Sequence, residues 1–308
     1  MKTLVECVAN FSEGRDLKVL DAIVSAIRSV EAVHVLDLQM DVDHHRSVVT
    51  FVGSKQSIGE AALRAIGKAA ELINLNHHSG KHPRIGAADV VPFIPLGHVT
   101  LQDCVSIAHY VGEQAWLRFQ VPVYFYESAA KRADRIRLEN IRRGQFEGLR
   151  QDLESGSDRL PDFGTAQLHP TAGATAVGAR NSLIAYNINL NTPDLRVARA
   201  IARAIRESNG GLPHVKALGI ELKARNQAQV SMNLTAFEKT SMHQVFEQVR
   251  LEARKHGVEI TGSQLIGLVP RKALETAAAH YLEIEDFESD DVLENRLERL
   301  LEEDQGRA

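Results

Sequence analysis

The chain has 308 residues, 44% hydrophobic and 25% charged, with a formal net charge of −4, enough apolar material for a substantial core shared between two domains. No concentrated basic stripe accompanies that charge, which argues against a nucleic-acid-binding domain and leaves any cationic function local. No run of about eighteen apolar residues is present, which argues against a membrane-spanning helix, and Val90 to Leu96 is interrupted by Pro92 and Pro95.

From the N-terminus, Leu4 to Val8 reads as a short strand. The polar turn Asn10-Phe11-Ser12-Glu13-Gly14 leads into an apolar-periodic helix from about Asp16 to Ser29. This opening meets Glu6 before any long apolar core, unlike a secretory signal. Val33 to Leu38 and Ser47 to Val52 are β-branched, apolar runs joined by a polar connection at 39–46. A helix from about Ser57 to Ile73 turns Ala61, Leu63, Ile66, Ala69, Ala70 and Ile73 inward, and Val90 to Ile94 makes a fourth strand. The order is β-α-β-β-α-β. A helix over Gln102 to Phe119, a strand at Val121 to Tyr126 and a charged stretch from Lys131 to Arg150 follow, ahead of a turn-rich linker at Glu154 to Asp158.

The second half repeats the order: strand Leu183 to Leu190, helix Asp194 to Ser208, strands Val215 to Leu222 and Ala228 to Leu234, helix Met242 to His256 and strand Glu259 to Gly262. Two split-βαβ units without a residue-level repeat predict an α/β (α+β) chain of two tandem ferredoxin-like domains, here 1–178 and 179–308. Asp290 to Glu303 reads as an amphipathic helix that docks on the second domain or makes a dimer contact.

The densest chemistry lies at His77-His78-Ser79-Gly80-Lys81-His82-Pro83-Arg84-Ile85-Gly86-Ala87-Ala88-Asp89. His78 and His82 have the four-residue spacing of a helical zinc pair. Gly80 between them and Pro83 after them oppose a continuous helix, so a metal is not expected. A solvated loop with incidental histidines is an equal reading of the bare pattern. His44-His45-Arg46, by itself an ordinary exposed turn, can reach the same edge. Pro161-Asp162-Phe163-Gly164 and the glycine-rich run to Arg180 read as a crossover or as an anion-accepting loop, without a Walker Gly-Lys-Ser/Thr or a dinucleotide fingerprint. Asn187 and Asn189 share one strand face, as do Gln229, Ser231 and Asn233, which suits solvent or a heterocycle rich in donors and acceptors. Cys7 and Cys104 stand far apart with no CxxC, arguing against a disulfide framework and for a reducing cytoplasm.

VECVANFSEGR at 5–15, DHHRSVVTFVG at 43–53, HHSGKHPRIGAADVVPFIP at 77–95, PTAGATAVGAR at 170–180, LIAYNINL at 183–190, AQVSMNL at 228–234 and GSQLIGLVP at 262–270 together resemble the glutamate formimidoyltransferase family. The likeness runs through nearly the whole chain in order and leaves no length for an all-helical cyclodeaminase domain, as in stand-alone bacterial forms. It implies transfer of a formimidoyl group from N-formimidoyl-L-glutamate to N5 of tetrahydrofolate, releasing L-glutamate, in histidine degradation. It implies a cytoplasmic homodimer with tetrahydrofolate as co-substrate, no metal, no nucleic-acid or membrane partner, and folate held in a groove between the two subdomains.

The histidine before Pro-Arg is the acid/base that the resemblance implies, here His82. The folate segment it implies comprises Gly164, Thr165, Ala166, Gln167, Leu168, His169, Pro170, Thr171, Ala172 and Gly173. Arg84, Arg46 and Arg180, with Lys81 as a weaker candidate, are the cations for substrate or folate carboxylates, because a guanidinium grips a carboxylate bidentately. Glu13 and Asp89 are candidates for the amidinium or the pterin, with Asp89 alternatively capping local structure. Three positions depart from the family pattern: Ala9 stands where Pro is usual, His45 where Asn is common, and Gln39 where the animal enzymes have Asp. The group orienting His82 is then Asp41, Asp43 or solvent. The alternatives are formyl exchange between 5-formyltetrahydrofolate and glutamate, a non-catalytic folate-binding protein, and a metal-dependent hydrolase using His44, His77, His78 and His82.

Overall fold

A computed structural model describes residues 3–80 and 82–305, with side chains to position 300. The chain divides into two compact units, one ending at Ser182 and the other beginning at Leu183. The first contains β1 (Leu4–Phe11), α1 (Leu17–Arg28), β2 (Val33–Asp41), β3 (Arg46–Gly53), α2 (Ile58–Leu72), β4 (Ala88–Leu96), α3 (Leu101–Phe119), β5 (Val123–Glu127), α4 (Leu138–Ile141), α5 (Gln145–Glu154) and β6 (Thr175–Ala179).

Its sheet has the order β2-β3-β1-β4-β6-β5. The first four strands form the expected split-βαβ arrangement, with β3 inserted antiparallel between β1 and β2. Strand alternation separates the faces: Val5, Cys7, Ala9 and Phe11 join the main core with Val49, Phe51 and Phe93. The α1 stripe Leu20, Ile23, Val24 and Ile27 is buried, and that helix starts where Asp16 accepts from Lys18 N–H. Thr100 and Asp103 make a capping box at the head of α3.

β6 is the element the expectations lacked. It lies parallel between β4 and β5 with all five residues buried, so Thr-Ala-Val-Gly-Ala carries none of the alternation that marks a half-exposed strand. The boundary drawn after residue 178 falls inside it. The division comes at Ser182, because β6 belongs to the first sheet. The charged stretch 131–150 contains α4 and the start of α5; Ile141, Leu149 and Leu153 pack with Tyr124 and Tyr126 in a small second core.

The second unit contains β7 (Ile184–Leu190), α6 (Leu195–Ile205), β8 (Val215–Leu222), β9 (Gln227–Leu234), α7 (Met242–Lys255), β10 (Ile260–Ile266), α8 (Arg271–Tyr281) and α9 (Leu293–Gln305). Its sheet order, β10-β7-β9-β8, repeats that of the first four strands. Ile184, Ile188 and Leu190 enter the core with Ile201, Ile205, Val230 and Val245. On the other sheet face, Asn187 pairs with Ser231 and Gln264, and Asn189 with Gln229. Gln229 Nε2 donates to Asn189 Oδ1 at 2.8 Å and to Gln264 Oε1 at 3.1 Å, so these amides partly satisfy one another. α9 meets α8 through Arg271 and Glu298 at 2.8 Å. This contact is polar and leaves Leu293, Leu297 and Leu300 exposed, while the Leu301 side chain lies outside the described residues.

Candidate active site

Strand directions collect the chemistry at one end of the first sheet. The end of β1, the β2–β3 turn, and the starts of β4, β5 and β6 all lie there. A Cβ on Gly14 would sit 2.2 Å from the Asp41 carbonyl oxygen and 2.4 Å from Arg46 N, so the loop after β1 presses directly on the β2–β3 turn. Ser12 ties the same loop to the segment before β4, with Oγ donating to the Gly86 carbonyl at 2.7 Å and N–H to that of Ala87 at 2.9 Å.

His82 sits in this convergence. Arg46 Nη1 donates to its Nε2 at 2.7 Å. A guanidinium only donates, so Nε2 is an acceptor and the proton of the neutral ring resides on Nδ1; the Pro83 backbone, whose only hydrogen-bonding group is its carbonyl, accepts from the ring. His44, buried, presents its ring edge-on at 6.2 Å between centroids. Burial, followed by the charges of Arg46, Arg142 and His44, holds the His82 pKa well below the usual imidazole value. The ring is therefore neutral at physiological pH, with its Nε2 lone pair taken up by Arg46.

Asp41 does not touch His82. It receives the His44 backbone N–H at 2.8 Å, and His44 Nδ1 lies 3.0 Å from its other oxygen. Burial opposes ionisation of Asp41, but the His44 ring and backbone hold its pKa down at about 2. The expected direct carboxylate partner is thus replaced by an arginine in contact and a carboxylate one residue further away. No contact joins Asp43 to His82 among the described residues.

Arg84 is a buried strut. Its Nε donates to His78 Nδ1 at 3.0 Å, its Nη groups grip Glu147 at 2.6 and 2.8 Å, and further bonds reach Gln145 and the His78 carbonyl. All five donors are engaged, so no open fork faces a substrate. His78 gives its remaining N–H to the His45 carbonyl at 2.9 Å and stacks on the His45 ring at 4.2 Å. Both of its nitrogens are therefore occupied. His77 is exposed, and among the described residues no three His, Cys, Asp or Glu side chains gather to hold a metal. Lys81 lies outside the described residues.

The segment at 164–173 has two parts. Gly164 through Gln167 are exposed; the Asp162 carboxylate anchors their base, taking Arg135 at 2.7 Å and the Phe125 N–H at 2.8 Å. Leu168 packs between the two cores, and His169 Nδ1 accepts the Ala172 N–H at 3.0 Å. Pro170, exposed, gives its carbonyl to Asn76, and the Thr171 carbonyl accepts from Leu75 N–H at 2.8 Å. The Ala172 carbonyl accepts from Ala87 N–H at 2.8 Å, and Ala174 N–H donates to the Ile85 carbonyl at 2.9 Å, stitching this turn to the chain just beyond His82. Gly173, at φ 72, would drive a Cβ to 2.2 Å from the Ile85 oxygen. Arg180 is not with this group. It follows β6, whose five residues span about 16 Å, and there it lies beside Tyr126 and Glu6.

The first half of the chain, residues 4–180, matches the family described as the formiminotransferase domain, N-terminal subdomain, and residues 185–301 match the formiminotransferase domain. The chain belongs to the formiminotransferase family. It is 46% identical to a glutamate formimidoyltransferase of Streptococcus pyogenes serotype M1, covering 96% of this chain and 99% of that one. It is 44% identical to one of Thermoplasma acidophilum, covering 96% and 98%. Identity to the formimidoyltransferase-cyclodeaminase of Mus musculus is 43% over 92% of this chain and 53% of the longer protein.

Within this formiminotransferase fold, two features escaped sequence reasoning. Arg142 comes from the turn after α4 and is gripped by buried Asp89, whose other oxygen accepts the Ile85 N–H at 2.7 Å. Asp89 thus holds a cation near His82 and the backbone beyond it. Nothing in the local sequence marked Arg142 among its neighbouring arginines; only the pairing with Asp89 singles it out. Glu13 likewise caps its own turn, accepting N–H groups of Gly14, Arg15 and Asp16 at 2.8–3.0 Å and meeting His45 Nε2 at 3.3 Å. His45 has φ 50, a left-handed conformation that Asn and His tolerate better than most residues, which accounts for His where the family pattern has Asn.

Proposed function

We propose that the protein transfers the formimidoyl group of N-formimidoyl-L-glutamate to N5 of tetrahydrofolate and releases L-glutamate, with His82 as the proton carrier. The observation that carries the assignment of His82 is its neutral ring, held between the Arg46 donor and the Pro83 carbonyl at the loop end of the first sheet in a chain of this family. The N5 lone pair forms a bond to the amidine carbon and gives a tetrahedral intermediate. The N5 proton passes to His82 and then to the glutamate nitrogen, whose bond to carbon breaks. No electron changes hands, so the exchange needs a single group that takes and returns one proton.

Arg46, backed by Arg142, is the proposed carboxylate contact for formimidoylglutamate, and the exposed turn 164–167 the proposed folate contact. Arg180, at the other end of β6, is assigned to the extended glutamyl arm of the folate. Arg84, whose donors are all engaged, is assigned to holding the loop. A homodimer remains part of the proposal, and light scattering tests it. For the activity, purified protein is given formimidoylglutamate and tetrahydrofolate and the folate product is followed spectrophotometrically. Turnover with this donor supports the assignment; exclusive use of 5-formyltetrahydrofolate with glutamate overturns it.

A further inference from the structure

Arg46 raises a chemical conflict. The Nε2 lone pair of His82 is the base that the proposed reaction needs, yet the Arg46 Nη1–H occupies it at 2.7 Å. Arg46 itself is poorly matched by its surroundings: its Nε is buried with no hydrogen-bond partner among the described residues. Burial and the neighbouring charge of Arg142 bring its pKa down to about 10, against partial support from Asp41 and Asp89. A guanidinium bound to a neutral imidazole gives up that contact readily to a carboxylate, which accepts two charge-assisted bonds in the fork geometry.

We propose that a carboxylate of N-formimidoylglutamate draws Arg46 off His82, so that binding of the donor substrate is the event that frees Nε2 to act as base. The inference rests on the formimidoyl-transfer reading of this site. Arg46 touches the substrate through its fork and acts on the chemistry through His82. Before the donor binds, folate meets an imidazole whose lone pair is blocked; when glutamate leaves, Arg46 returns to it. The charged and titratable groups around His82 are Arg46 on β3, His44 on the β2–β3 turn with Asp41 at the end of β2 behind it, and Arg142 after α4 held by Asp89 on β4. Only Arg46 among them makes a hydrogen bond to the ring, so it is the group whose removal changes the basicity of Nε2 most directly.

The test is the titration of the His82 imidazole in the full-length protein, followed by NMR with ring-labelled histidine and assigned with His82→Asn. L-Glutamate, the released product, serves as the probe. Saturating glutamate should raise the His82 midpoint by about one pH unit, a tenfold change in proton affinity. Arg46→Gln should raise it without glutamate and remove most of the further response. Arg46→Lys, which keeps the charge and loses the fork, should show a reduced glutamate response and serves if the glutamine variant does not fold. If glutamate binds, as other resonances report, while the His82 titration stays where it was, the proposal is overturned and the assigned reaction stands. If neither glutamate nor formimidoylglutamate binds or turns over, the assigned reaction fails and this inference with it.

Discussion

A proton carrier is defined by what its ring nitrogens face. At His82 one nitrogen faces Arg46 and the ring as a whole lies among cations, so the neutral form persists well below the usual imidazole pKa. His82→Ala should lower turnover by at least about 10² while folate binding, measured by fluorescence titration, stays near wild type; near-normal turnover would remove His82 from the mechanism. The same environment predicts a pH signature. The acid limb of kcat/KM, which reports the free enzyme, should lie below pH 6.5, and that of kcat, which reports the complex, at higher pH. Arg84→Gln removes charge-assisted bonds of about 1.5–3 kcal/mol. It should lower the thermal midpoint by several degrees, at roughly 2–4 °C per kcal/mol, with a smaller effect on KM for formimidoylglutamate than Arg46→Gln. The HPR segment marked His82 as a candidate beforehand, and its role as proton carrier is the proposal these measurements test. The locking of Arg84 was not legible, because nothing at position 84 reveals Glu147, 63 residues away, closing over it.

At the scale of elements, the site depends on chain ends that meet: the loop after β1, the β2–β3 turn, the segment before β4 and the turn before β6. Gly173 is a tight junction among these, with positive φ and the Ile85 carbonyl in the space of a Cβ. Gly173→Ala should destabilise the fold by at least about 1 kcal/mol and raise KM for tetrahydrofolate, since the shifted turn is stitched to residues 85–87 beside His82. Unchanged melting and unchanged KM would show that this junction yields at no cost. The strands with alternating or β-branched patterns were legible within a few residues. β6 was not, because a central parallel strand of small residues, covered on both faces, leaves no periodic trace.

For the whole molecule, acid should act early. Burial lowers the pKa of His78, His82, His169 and His243 in the folded chain. Below pH 6.5 the unfolded chain binds protons that these rings refuse, so stability is complete above that pH and declines as pH falls towards the folded values. Each ring that stays neutral accounts for up to about 1.4 kcal/mol per pH unit, less where solvent reaches it. The thermal midpoint should therefore fall between pH 7.5 and 5.5, before most carboxylates titrate, and His82→Asn should flatten the slope. A midpoint constant over that range would contradict the burial of these rings in neutral form.

The amino-acid order alone determined the two β-α-β-β-α-β runs, the family likeness and the singling-out of His82, because periodicity, turn residues and contiguous motifs are local properties of the chain. Only the tertiary structure decided that Arg46 rather than a carboxylate meets His82, that Arg84 is locked by Glu147, that Asp89 holds Arg142, and that Arg180 stands at the far end of β6. Polar contact across 36 to 63 residues depends on which strand ends the fold brings together, and that is fixed by strand order and direction, which no local pattern encodes.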